Sequence, residues 1–131
     1  MGTDLRQEII VFFKERMDRH RRVASLVDIS DEDNFIVRVD RQGLPSLNVH
    51  LSDAYCYTEA EFLSRPASIQ QGDFILVAKP EGSVTDEALQ HAKAERIGIG
   101  QIGKLMGALN YPEVWNYEPP DPSSGRGRRA S

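Results

Sequence analysis

One cysteine, Cys56, is all the thiol chemistry in the chain. No disulfide can form within it, and no zinc site can be built from its cysteines alone. A lone thiol suits a reducing compartment, so a cytoplasmic location is expected, with Cys56 as a buried, inert side chain. Long apolar runs are missing too. Nothing approaches the ~18–20 residues that a membrane-crossing helix needs, so no membrane partner is expected. The opening residues, MGTDLRQEIIVFF, carry early charges and lack a small-residue cleavage pattern, which argues against a secretory leader. Neither a GxSxG elbow nor a P-loop occurs, which excludes the common serine-hydrolase and Walker-type signatures. There is no internal repeat.

What remains is an ordinary globular composition. Of 131 residues, 40% are hydrophobic and 27% charged, which fits one domain with one core. That domain is placed at residues 1–118. Residues 119–131, rich in Pro, Ser, Gly and Arg, read as a disordered tail by composition. The net charge of -4 is unevenly spread. Residues 1–22 hold six Lys/Arg against four Asp/Glu, residues 23–118 seven against fifteen, and the tail three Arg against Asp121. An acidic body therefore carries a basic first helix and a basic tail, and any contact with nucleic acid has to be local.

Along the chain, Leu5, Ile9, Phe12, Phe13 and Met17 recur at helical spacing, predicting a helix over 4–22. Its last turns hold Arg16, Arg19, Arg21 and Arg22. These either balance the helix dipole or form a phosphate-contacting cluster. Residues 23–29, 35–39 and 47–51 read as three short strands of an antiparallel meander, with Pro45 closing the second turn. Thr58 and Glu61 form a capping box at the head of a short helix. FILVA, residues 74–78, is continuous enough for a strand buried on both faces. Thr85 caps a helix whose Ala88, Leu89, Ala92 and Ala94 give it a small-residue packing surface. Ile97–Ile102 reads as the last strand, and Lys104–Asn110 as a further strand or a helical turn. The order α-β-β-β-α-β-α-β predicts an α/β fold: one mixed sheet, a meander plus two parallel strands, with helices on its faces.

The stretch Gly98-Ile99-Gly100-Gln101-Ile102-Gly103 spells GxGxxG. The segment before it reads as helix, and no complete βαβ unit follows, so the glycines are read as close-packing positions in a strand. Asp28, Asp31, Glu32 and Asp33 lack the glycine and terminal glutamate of a calcium loop and are read as turn residues. Asn48 and His50 share one face of the third strand. A histidine and an amide two apart can hold a metal or move a proton, but they are more often half-exposed outer positions.

A leading helix, a meander, a helix, GDFILVAKPEG, an alanine-rich helix and RIGIGQIG together resemble the PD-(D/E)XK nuclease-like superfamily, which includes restriction endonucleases and Holliday-junction resolvases. The resemblance covers roughly residues 4 to 105. It implies magnesium-dependent phosphodiester cleavage, in which carboxylates hold a hard cation that stabilises charge on the phosphate and acidifies water. The second-strand acid it implies is Asp33, a metal ligand, or Asp40 at the other end of that strand. Glu8 matches the acid sometimes found on the first helix. Where the family has acid-x-lysine, this chain has Asn48-Val49-His50. The substitution removes a negative charge and replaces lysine by a weaker stand-in.

The expectation is a binding or assembly subunit with a degraded metal site, associated with DNA or RNA through Arg16, Arg19, Arg21 and Arg22. One alternative is a Mg²⁺-dependent nuclease using Glu8, Asp33, Asn48 and His50. Another is a protein-interaction module with no nucleic-acid role. A symmetric homodimer is the default assembly.

Overall fold

The computed structural model describes residues 2–79 and 81–118, with side chains from residue 8 onward. Helix α1, Gly2–Asp18, buries Phe13 and Met17, four apart on one stripe, with Ile9 and Ile10 beside them. Phe12 does not join that stripe: it is 49% exposed, and Leu5 lies outside the described side chains. Strands β1 (Val23–Asp28), β2 (Phe35–Arg41) and β3 (Leu44–Ser52) form the expected meander. The second turn is tighter than predicted. Gln42 and Gly43 alone make it, with Gly43 at φ +73°, and Arg41 pairs with Leu44. Pro45 therefore lies inside β3 rather than closing the turn. It is tolerated there because β5 reaches only as far as Val49, leaving that side of Pro45 without a strand neighbour.

The chain then passes through β4 (Cys56–Tyr57) and α2 (Glu59–Leu63), where Thr58 and Glu61 form both bonds of the capping box. Strand β5 (Phe74–Val77) is buried throughout and runs parallel to β3. After β6 (Ser83–Val84), Thr85 accepts a bond from Ala88 N–H and caps α3 (Asp86–Ala94). Helix α3 ends with Ile97 N–H donating to Ala92 O and Arg96 N–H to Lys93 O, a Schellman closure. Arg96 takes the positive φ of 62° that such a closure requires, and its carbonyl accepts from Gly72 N–H. Strand β7 is short, Gly98–Gly100, because helix α4 begins at Ile102 and runs to Ala108. Of the two options open for residues 104–110, the helical one holds. The GxGxxG stretch thus straddles a strand–helix junction instead of lying within one strand.

The sheet order is β1-β2-β3-β5-β7, antiparallel through the meander and parallel from β3 onward. A separate two-stranded parallel piece joins β4 to β6; two-residue strands leave no periodicity to read, and none was expected there. Cys56, on β4, is exposed rather than buried. One face of the sheet packs Val37, Val49, Leu51 and Phe74 against Phe13 and Met17 of α1 and Leu105 and Ala108 of α4. The other packs Ile36, Ile75, Val77 and Ile99 against Phe62 of α2 and Ala88 and Ala92 of α3. Each large aliphatic or aromatic side chain so buried contributes ~1.5–3 kcal/mol. Helices α2 and α3 cover this second face over β5 and β7 but not over β1. Val27 and Arg38, paired in register, stay exposed there.

Candidate functional site

Strand alternation decides which predicted site residues can meet. Val49 and Leu51 enter the core beneath α1, so Asn48 and His50 point to the opposite face. Glu8 sits exposed on α1, in the layer covering the first face. The sheet separates it from Asn48 and His50. Asp33 is an exposed turn residue whose N–H donates to Asp31 Oδ1 at 2.9 Å. Asp40, the other second-strand acid, does share the face of Asn48. Its carboxylate accepts from Ser46 Oγ at 2.7 Å, Ser25 Oγ at 2.8 Å and Arg38 Nε at 3.0 Å. These partners, Ser46 first, hold it below the usual carboxylate range. Among the described residues, no three His, Cys, Asp or Glu side chains are grouped to hold a metal ion. The donors expected for Mg²⁺, Glu8, Asp33, Asn48 and His50, do not fit one: they are divided between two faces and an outer turn.

Asn48 has a different task. Its N–H donates to Asp73 Oδ1 at 2.8 Å, and its side-chain nitrogen donates to Ser68 O at 3.3 Å. Gln70 N–H occupies Asp73 Oδ2 at 2.8 Å. Asp73 therefore pins β3 to the loop that leads into β5. Burial pushes its carboxyl up, against the pull of these two N–H donors.

His50 lies between Ile36 and Ile75 in register, half-buried, with Nδ1 buried and unbonded among the described groups. Burial lowers its pKa below 6.5, while the charges of Asp31 and Asp53 oppose that shift. Asp31 accepts from Asn34 N–H at 2.7 Å and Asp33 N–H at 2.9 Å, and these bonds hold its carboxyl low. His50 is thus a half-buried imidazole that burial favours in its neutral form, within electrostatic reach of Asp31 and Asp53. The register carries the clue that was missed. Ile36 pairs with His50, so the turn before β2 must return beside the end of β3.

A pH dependence follows. As pH falls below about 6.5 the unfolded chain protonates its imidazole first, because the folded site resists the charge. The His50 contribution to stability is full above 6.5, shrinks as pH drops toward the lower folded pKa, and changes no further below it. His50→Gln is expected to flatten this segment of the urea midpoint-versus-pH curve. Parallel curves for the two proteins would remove the assignment.

At the other end of the meander lies the arginine turn. Arg16 is half-buried with its guanidinium 5.5 Å from the centre of the Phe12 ring. Arg19, Arg21 and Arg22 are exposed, and Arg22 reaches Gln42 O at 3.5 Å. His20 braces the turn: Nδ1 accepts from Arg22 N–H at 3.1 Å, which leaves Nε2 as the donor to Met106 O at 2.8 Å. The ion pairs among the described residues join Arg38 to Asp40, His91 to Glu59 and Glu95, and Lys93 to Glu118. None uses the four arginines. Arg126, Arg128 and Arg129 lie outside the described residues.

No helix among the described residues is long and apolar enough to cross a membrane. No family model, curated protein or solved structure matches the chain.

Proposed function

We propose that this chain is a binding or assembly subunit on a nuclease-like frame, holding nucleic-acid phosphates at its arginine turn. One observation carries this: Arg19, Arg21 and Arg22 stand exposed, outside the ion pairs among the described residues, on a body that is otherwise acidic. Arginine forks suit phosphate oxygens, and a braced turn presents them at little conformational cost. The frame of the proposal is the order of helix, meander, helix, strand, helix and strand. The degraded site is supported by the separation of Glu8 from Asn48 and His50.

The test is a salt series on duplex DNA and single-stranded RNA read by fluorescence anisotropy. Three phosphate contacts give a slope of log K on log salt of about -3 for duplex DNA. Arg19→Ala/Arg21→Ala/Arg22→Ala is expected to flatten that slope toward zero. Undetectable affinity at low salt would reject a nucleic-acid role. Cleavage in Mg²⁺ or Mn²⁺ that vanishes in His50→Gln would instead establish an altered nuclease.

A second reading, a protein-interaction module, is favoured by the outer half of the meander. Val27 and Ile29 are 46% and 39% exposed there, and among the described residues β1 has no neighbour beyond it in the sheet. A second copy pairing along β1 is the assembly that fits the expected homodimer. Light scattering across protein concentration checks it, with a constant monomer mass as the contrary result.

A further inference from the structure

A cleft of about 170 Å³ opens beside β7, between α3 on one side and α4 with the turn at Val114–Asn116 on the other. Leu89, Ile97, Ile99 and Trp115 supply its apolar surface, and Lys93, Lys104 and Glu118 its charges. Lys104 is half-buried, with its stem laid over Gly100, where a Cβ would come within 2.6 Å of it. The missing side chain at Gly100 is thus what lets Lys104 lie down beside the cleft. Two cations share one carboxylate here: Glu118 pairs with Lys93 at 3.7 Å and also acts on Lys104. Burial and the Lys93 charge both disfavour the ammonium of Lys104, and only Glu118 offsets them. An anion entering the cleft would offset both through its own charge, as Glu118 does.

We propose that this cleft binds a small organic anion, its carboxylate between Lys93 and Lys104 and a flat apolar body over Ile97 and Ile99 beside Trp115. The volume is below the ~300 Å³ at which pockets for drug-sized ligands begin, which limits the body to about one ring. Glu118 holds the place of the ligand carboxylate in the free protein, so binding requires its displacement. The site is independent of the arginine turn.

Trp115 is the chain's single tryptophan, so intrinsic fluorescence reports on the cleft directly. The full chain is titrated with benzoate, with benzamide as its neutral counterpart, and with inorganic phosphate. Benzoate is expected to change the emission saturably; benzamide and phosphate, lacking the charge or the ring, are not. Lys104→Met keeps the stem over Gly100 and removes the charge, weakening benzoate about tenfold. Glu118→Gln, which frees the cations, tightens it severalfold. Equal responses to benzoate and benzamide would overturn the proposal. So would saturation by phosphate at the same concentrations, unchanged affinity in Lys104→Met, or the lack of a saturable benzoate response in Glu118→Gln.

Discussion

Arg41→Ala is expected to cost ~3–5 kcal/mol of folding stability, the largest loss from any single side chain considered. Arg41 is 7% exposed and is the one buried charged residue among those described. Among the described residues no carboxylate pairs with it. Instead Nε donates to Pro45 O at 2.8 Å, and one terminal nitrogen donates to Leu109 O at 3.1 Å and Tyr111 O at 2.7 Å. Burial lowers the guanidinium pKa, yet arginine stays charged at any ordinary pH. Leu109 is the C-cap of α4, so the cation sits where the helix dipole is negative. Three carbonyls from two distant parts of the chain thus depend on one fork. Alanine leaves them without that donor and leaves a void between the β2–β3 turn and the end of α4. Lysine keeps the charge but not the planar fork, and is expected to recover only part of the loss. Urea unfolding at constant slope reads the difference. A change within ~1 kcal/mol of the parent would show that water replaces the fork without penalty.

The same residue shows what a sequence can and cannot disclose. Arg41 falls between the predicted strands at 35–39 and 47–51, where turn chemistry at Gln42 and Gly43 is local, while two of its three carbonyl partners are 68 and 70 positions away. Local signals succeeded wherever a local cause operates. The capping box at Thr58 and Glu61, the cap at Thr85, the meander and the buried β5 all stand as their neighbours predict. The candidate site failed at the step that needs two layers at once. Glu8, Asp33, Asn48 and His50 are each consistent with their own element, but the face on which an element packs is set by the whole core. Half of that could have been counted. A two-residue turn at Gln42-Gly43 fixes the β2–β3 register closely enough to bring residues 31–33 toward His50 and Asp53. It could not have shown that the carboxylate of Asp31, rather than that of Asp33, is the one that accepts the turn N–H groups and acts on the imidazole.

Gly98→Ala is expected to destabilise by ~1–3 kcal/mol, through overpacking rather than through any lost ligand contact. A Cβ at Gly98 would stand 2.9 Å from one Phe74 ring carbon, closer still to the next, and 3.3 Å from Val114 O. Phe74 is the register partner of Gly98 and is wholly buried, so its ring has nowhere to retreat. The three glycines of the GxGxxG stretch are then ordered by what each would meet. At Gly100 the obstacle is the flexible stem of Lys104, which can swing aside, so alanine there should cost less. At Gly103 nothing lies within 4 Å, and the residue is helical, so alanine should be neutral or stabilising by up to ~1 kcal/mol. A phosphate cradle would reverse this order of importance, because its glycines matter for backbone approach to a ligand at the start of the helix. Thermal and urea unfolding of the three single variants distinguishes the two. If Gly103→Ala costs as much as Gly98→Ala, packing against Phe74 is not what the glycines are for.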